Sequence, residues 1–419
     1  MDTLDPATLA WLASTAGQAV LAELGTHPLH PADLLREQTR LRATLPPAYA
    51  RAALEQAVLR RHARPKIAHA ERLYFTREAL EQATSTPVAE HRATRFAAFT
   101  HLADVGAGIG GDALCLAAAR PDRHITAIER DPLRAALLRM NVAALGLTQR
   151  VTVREADVVD TPEAVPAADA LFCDPGRRSG GRRSFTLDGY QPPLAQVLAW
   201  RTQPPQIAHM GIKLAAGVDL EAVAALAPQP HEIEFVALDG ELKEAVLWCG
   251  ELAQTTRRAT LLHRTAPDSF HVTTHTLTPD TPRPTVATAE PAALLYEPDP
   301  AVIRAGLVAE LAVRLHATLL DPQIAYLTAP HATPTPFARA WQILEWLPFQ
   351  LKQVRARLRA LDAGAVTVKK RGSPLDPDAL ARQLSGSGSR PLVLVLTRWH
   401  NRPIAIICVP FGGDKGIGG

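Results

Sequence analysis

The spacing of apolar residues changes twice along the chain, and each change marks a change of architecture. Between residues 5 and 63 they recur at helical intervals, as in Leu9, Leu12 and Ala16 or Leu54, Ala57 and Val58, with interruptions at His27-Pro28, His30-Pro31 and Pro46-Pro47. Apolar positions three or four apart share one helix face, and proline pairs break the pattern, so three helices are predicted here. A second helical stretch runs from Thr76 to Phe99, with Thr84-Ser85-Thr86-Pro87 as a break and a new helix start. From Leu102 to about His275 short apolar runs take over: His124–Ile128, Arg150–Arg154, Ala170–Cys173, Ile207–Lys213, Glu232–Val236 and Ala245–Cys249. Helical spacing fills the gaps between them, as over 133–145 and 220–226. Strands separated by such helices predict a parallel sheet with helices on both faces, an α/β fold.

The second change is a Thr/Pro-rich segment, Thr276 to Thr288, which reads as a linker. Beyond it come Ala293–Tyr296, a helix over 300–316, Ile324–Leu327 and a Pro-rich bridge, Pro330 to Pro336. Then follow Ala340–Leu344, a helix over 349–361, Ala365–Val368, a helix over 376–384, and the apolar runs Leu392–Leu396 and Ile404–Val409. This part predicts one or two small α+β units, and the Gly-rich tail from Gly412 reads as disordered. Four segments result: an N-terminal helical domain over 1–95, a Rossmann-like domain over 96–275, and α+β units over 276–335 and 336–412.

A length of 419 residues suits such a division, and 47% apolar with 21% charged residues is ordinary for a globular chain. No apolar run approaches the roughly 20 residues that span a bilayer. The N-terminus, Met1-Asp2-Thr3-Leu4-Asp5, lacks the basic and apolar parts of a secretory signal, so a cytoplasmic protein with no membrane partner is expected. Cys115, Cys173, Cys249 and Cys408 are widely separated, showing neither metal nor disulfide spacing, and are expected as buried thiols; no metal site is expected. The net charge of +3 is too small for a general grip on polyanions. Positive charge is almost all arginine, with seven lysines in the chain, so local clusters matter more than the total.

The most informative segment is Asp104-Val105-Gly106-Ala107-Gly108-Ile109-Gly110-Gly111-Asp112, an acid and a glycine-rich turn between a predicted strand and a predicted helix. Gly106, Gly108 and Gly111 fit the dinucleotide fingerprint, and Glu129, after Ile125–Ile128, stands where an acid binds a ribose, so a nicotinamide cofactor and S-adenosylmethionine both suit the glycines. Three further features favour S-adenosylmethionine. Asp104 precedes the first glycine, where a carboxylate reaches an amino group but has no partner on a pyrophosphate. With Asp112 and Glu129 it makes a site for a cationic cofactor. Asp157, after Ala156 at the end of the third strand, is placed to accept from an adenine amino group, and Asp174-Pro175 lies at the C-terminal end of the fourth, where open α/β sheets bind ligands.

These residues, in this order, resemble the class I S-adenosylmethionine-dependent methyltransferases over roughly Leu102 to His275. The resemblance implies that Gly106, Ala107, Gly108 and Gly110 approach the methionine part, that Glu129, with Arg130 beside it, binds the ribose hydroxyls, and that Ala156 and Asp157 meet the adenine. Amino-methylating relatives carry Asp/Asn-Pro-Pro-aromatic where this chain has Asp174-Pro175-Gly176-Arg177, so no ring is offered for stacking a base. The related carbon-5 uridine methyltransferases need a nucleophilic cysteine after the next strand, and Gly211–Asp219 has none. Lys213, the only lysine between residues 67 and 242, suits either a substrate phosphate or carbonyl or a strand end from which its stem snorkels. Arg177, Arg178, Arg182 and Arg183 fall within seven residues of an Arg/Gly loop that can grip phosphates or simply face solvent.

The run Val366–Gly372, which contains Lys369, Lys370 and Arg371, and the strands after it resemble the THUMP-like domain attached to one group of bacterial methyltransferases. Leu73–Thr76, Glu81–Thr84, Gly240–Trp248 and Leu347–Phe349 resemble that same group, as does a small ferredoxin-like unit around 290–330. Because THUMP domains bind RNA, the resemblance implies an RNA partner, tRNA or rRNA, with Lys369, Lys370, Arg371, Arg178, Arg182 and Arg183 on its phosphates. Among Arg355, Arg357 and Arg359, a spacing of two prevents all three from sharing one helix face. The expected protein is an RNA methyltransferase in which Asp174, with the Pro175 carbonyl, orients the nucleophile and can take its proton, and Arg177 and Arg178 place the nucleotide. The alternatives are methylation of a small metabolite or a protein, an RNA-binding protein with a vestigial pocket and, last, a nicotinamide enzyme.

Overall fold

A computed structural model describes residues 4–26, 29–177 and 187–411. The N-terminal region forms four α-helices, α1 (Pro6–Ala13), α2 (Thr15–Gly25), α3 (Leu34–Arg42) and α4 (Pro47–Ala63), where the spacing predicts three. The extra break is at Ser14, whose hydroxyl donates to the Trp11 carbonyl that ends α1 and accepts from Gly17 N in the first turn of α2. A Cβ at position 17 would lie 2.1 Å from the Trp11 carbonyl oxygen, so this corner admits only glycine. α1, α2 and α3 pack on α4, which buries Ala50, Ala53, Leu54 and Ala57. α5 (Arg77–Gln82) and α6 (Thr86–Arg95) follow, with Thr76 capping α5 and Pro87 opening α6, as expected.

An α/β alternation comes next: β1 (His101–Val105), α7 (Gly111–Ala118), β2 (His124–Glu129), α8 (Pro132–Ala144), β3 (Val151–Glu155), β4 (Ala170–Cys173), the short β5 (Gly176–Arg177) and β6 (Tyr190–Gln191), α9 (Leu194–Ala199), β7 (His209–Leu214), α10 (Leu220–Leu226), β8 (His231–Leu238) and β9 (Glu241–Cys249). Six of these strands lie in the order β9-β7-β4-β1-β2-β3. β1, β2, β3, β4 and β7 are parallel, whereas β9 runs antiparallel to β7, so the predicted parallel sheet has an antiparallel strand added. β4 is buried at all four positions, as a central strand covered on both faces must be. The chain leaves β1 toward β2 on one side and meets β4 on the other, and such a reversal opens a crevice at the C-terminal strand ends.

The chain divides into two compact units. The first holds residues 1–233, 244–254 and 262–273; the second holds 234–243, 255–261 and 274–419. β8, β9, β10 (Arg257–Arg264) and β11 (Val272–Leu277) each contribute residues to both.

In the second unit follow β12 (Leu294–Pro298), α11 (Pro300–Arg304), α12 (Val308–Arg314), β13 (Thr318–Asp321), β14 (Ile324–Ala329), β15 (Ala338–Pro348), α13 (Leu351–Ala360), β16 (Ala363–Lys370), α14 (Pro377–Leu384), β17 (Arg390–Trp399) and β18 (Arg402–Pro410). The helix expected over 300–316 is two helices, because Gly306 turns the backbone to φ +69°, outside the helical region. One seven-stranded sheet, β13-β14-β12-β15-β18-β17-β16, runs through residues 294–410, across the Pro-rich bridge. α13 and α14 cover one face through Val354, Leu358, Leu380 and Leu384, and the other gathers Leu295, Tyr326, Trp341, Val395, Ile406 and Cys408. All four cysteines are free thiols; Cys173, Cys249 and Cys408 are buried, and Cys115 is partly so. Among the described residues no helix is long and apolar enough to cross a membrane.

Candidate active site

The glycine turn leaves β1 with three residues at positive φ, Gly106 at +78°, Gly108 at +56° and Gly110 at +98°, a region that L side chains rarely adopt. Gly106 and Ala107 both donate to the Ile128 carbonyl, which ties the turn to the end of β2. A Cβ at Gly106 would stand 2.4 Å from the Asp174 carbonyl oxygen, so the missing side chain lets the loops after β1 and β4 meet. Asp174 N donates to the Val105 carbonyl from the other side. Glu129 is buried, and its carboxylate accepts from Gly108 N and Asp131 N, each at 2.8 Å. It therefore shapes the turn, and a carboxylate that accepts two bonds keeps lone pairs for a ribose.

Asp104, on β1, is almost fully buried and neither carboxylate oxygen has a hydrogen-bond partner. Burial, and next the charge of Asp174, push its carboxyl up to about 7. An unpaired buried carboxylate is costly, and a cation beside it removes the cost. The ammonium of a bound S-adenosylmethionine is such a cation, so the residues fit the cofactor that the glycine turn suggests. Asp112 differs: its carboxylate accepts from Thr84 Oγ1 at 2.9 Å and from the buried Arg92 guanidinium, so it anchors α6 to α7. Beyond the end of β3, Asp157 accepts from Val159 N at 2.9 Å, and Arg130 reaches both Asp157, at 3.5 Å, and Gln191 Oε1, at 3.0 Å. Ala156 N donates to the Glu129 carbonyl.

Asp174 emerges from the end of β4 about one-third exposed, beside the buried Pro175. Lys213 Nζ, from β7, donates to its carboxylate at 2.7 Å, stands 3.3 Å from Thr84 Oγ1 and 4.0 Å from Glu244 Oε2. Lys213 is thus paired with Asp174, at the C-terminal strand ends. Arg92 also pairs with Glu244, and its guanidinium lies 4.3 Å from the centre of the Phe172 ring, two residues before Asp174. The sequence does not mark Thr84, Arg92 and Glu244 as site residues; Thr84 and Glu244 do lie in stretches that resemble the same methyltransferase group, and Arg92 reads as one more polar residue of a helix.

Arg177 pairs through its backbone with Tyr190, while Arg178, Arg182 and Arg183 lie outside the described residues. In the second unit the cations expected on RNA phosphates are largely engaged. Lys369 Nζ lies 2.7 Å from Glu297 Oε2 and 5.5 Å from the Trp341 ring centre, and Arg371 Nη2 lies 3.6 Å from Glu297 Oε1. Lys370 is exposed. Arg357 is bound by both oxygens of Glu345. Among the described residues no cluster of metal ligands occurs.

Residues 89–184 match the family described as a precorrin methyltransferase domain, residues 338–410 one described as THUMP domain-like, and residues 5–63 a domain of unknown function. An uncharacterized S-adenosylmethionine-dependent methyltransferase of Mycobacterium tuberculosis is 38% identical over 359 residues, 82% of this chain and 92% of the relative. Over 80 residues, 17% of this chain and 37% of the relative, it is 45% identical to a ribosomal RNA small subunit methyltransferase G of Renibacterium salmoninarum. A solved structure from Porphyromonas gingivalis, assigned as a methyltransferase, superposes with a TM-score of 0.71 at 18% identity over 92% of this chain and all of that one. The shared fold therefore extends well beyond the glycine turn.

Proposed function

We propose that this chain, which belongs to the S-adenosylmethionine-dependent methyltransferases, transfers the methyl group to a base in structured RNA, tRNA or rRNA. The observation that carries the acceptor class is the match of residues 338–410 to a THUMP domain-like family in a chain with a methyl-donor crevice. The relative named for ribosomal RNA methylation supports the same reading.

When bound, S-adenosylmethionine supplies a methyl group on a sulfonium. Asp104 would receive the ammonium, Glu129 the ribose hydroxyls, and Asp157, with Ala156 and Arg130 beside it, the adenine edge. Methyl transfer needs the acceptor lone pair in line with the methyl carbon, so positioning supplies most of the rate. Asp174, with the Pro175 carbonyl, accepts from the acceptor N–H and turns its lone pair toward the methyl. Lys213 Nζ holds the Asp174 carboxylate at 2.7 Å, which fixes it to orient the nucleophile and to receive its proton as the new bond forms. Arg177 and the arginines after it hold the nucleotide.

Nucleosides from total RNA of a deletion strain, resolved by mass spectrometry against its parent, test the acceptor. One methylated nucleoside should disappear, return with the wild-type gene and stay absent with D174A. An unchanged nucleoside set would refute the RNA reading. Purified D174A should lose about 100- to 10,000-fold in turnover with cofactor affinity within about threefold, and retained turnover would refute the role of Asp174.

A further inference from the structure

An apolar cleft is lined by α6, α7, the end of α8 and the segment before α5. α7 contributes Leu114, Cys115 and Ala118 to it, and α6 contributes Glu90 and Ala93. Its volume is about 350 Å³, within the usual range of small-molecule pockets. None of Asp104, Glu129, Asp157 or Asp174 lines it. Ile109, Gly110 and Gly111 of the glycine turn also line it.

Its polar groups decide what would bind. Asn141 is fully used, accepting from Tyr74 N and donating to the Tyr74 and Ile109 carbonyls, and Thr86 Oγ1 accepts from Ala68 N. Glu90, exposed at the mouth, makes no hydrogen bond or ion pair among the described residues. Partial burial holds its carboxyl above the ordinary range, with His271, His69 and Cys115 as its titratable neighbours, the last two also lining the cleft. The cleft is far larger than one water, and apolar walls do not order water, so it suits an organic occupant. We propose that this cleft binds a small organic cation, its apolar body among Phe75, Ile109 and Leu114 and its charge against Glu90 at the mouth.

Calorimetry on the full chain at pH 8 tests this with three probes of one ring size: phenethylamine, 2-phenylethanol and 3-phenylpropanoate. The amine should bind about fivefold tighter than the alcohol, as expected for one partly exposed ion pair, and the carboxylate more weakly than either. E90Q should bring the amine to the affinity of the alcohol. A118W, which puts an indole into the cleft, should abolish all three, and L145W, at another lining position, serves where A118W does not fold. Equal binding of the three probes, or an unchanged preference in E90Q, would overturn the cation assignment. Absence of binding to the wild type, or undiminished binding to the filled variants, would overturn the site itself.

Discussion

The two compact units treat charge in opposite ways. Among the described residues around the glycine turn of the first, the carboxylates of Asp104, Asp112, Glu129, Asp174 and Glu244 stand with the cations Arg92 and Lys213, and Asp104 is left buried and unpaired. In the second, Lys369 and Arg371 share Glu297 and lie over the Trp341 and Tyr326 rings. An excess of one sign in a dry site calls for a ligand of the other sign, whereas a matched set holds strands together. The first cluster is therefore the one that, on the proposed function, takes the cofactor as its last partner. The second is mainly part of the fold, although the sequence offers the same lysine and arginine as RNA contacts.

Changing Asp104 should affect this contrast most. Asp104→Asn removes the unpaired charge, so S-adenosylmethionine affinity, measured by calorimetry, should fall by about 10- to 100-fold, as for loss of a buried charge-assisted bond. The free protein should become more stable at neutral pH. Folding raises the carboxyl of Asp104 from its ordinary value to about 7, so the native state binds more protons between those values. The stability that this group contributes is present below about 4 and is lost as pH rises toward 7. Thermal unfolding across this range should show a slope that D104N removes. Equal slopes in the two proteins, with unchanged affinity, would show that Asp104 is not the unpaired member of the cluster.

Glu297→Gln is the matching change in the second unit. Leaving two half-buried cations without their carboxylate should cost about 1–3 kcal/mol in chemical denaturation, with S-adenosylmethionine affinity unchanged. An unaltered stability would place Lys369 and Arg371 back among the free cations. Lys370→Ala should be the mildest change, with stability within about 0.5 kcal/mol. If RNA passes over this face, the slope of log affinity against log salt should fall by about one. No change in that slope would remove Lys370 from the RNA contacts.

Much of the frame was legible in local pattern. Alternation of short apolar runs with helical stretches gives the α/β order, and the acids at 104, 129, 157 and 174 recur at strand ends, where a parallel sheet places its ligands. Helix breaks were less legible: Ser14 and Gly306 interrupt apolar spacing that continues across them, because capping geometry and a positive φ leave that period unchanged. Partners across the site were hidden for another reason. Arg92 meets Glu244 over 152 positions, and Lys369 meets Glu297 over 72, distances at which no periodicity survives.

By itself the sequence determined the strand–turn–helix at 102–117, the acids that surround it and the cofactor they suit, since backbone conformation follows from neighbours a few residues apart. Only the tertiary structure decided which charges are spent. It gave Asp112 to Arg92, Lys213 to Asp174 and Lys369 to Glu297, and it left Asp104 alone. Pairing depends on atoms brought within about 3 Å by the packing of distant segments, and that packing is a property of the folded chain.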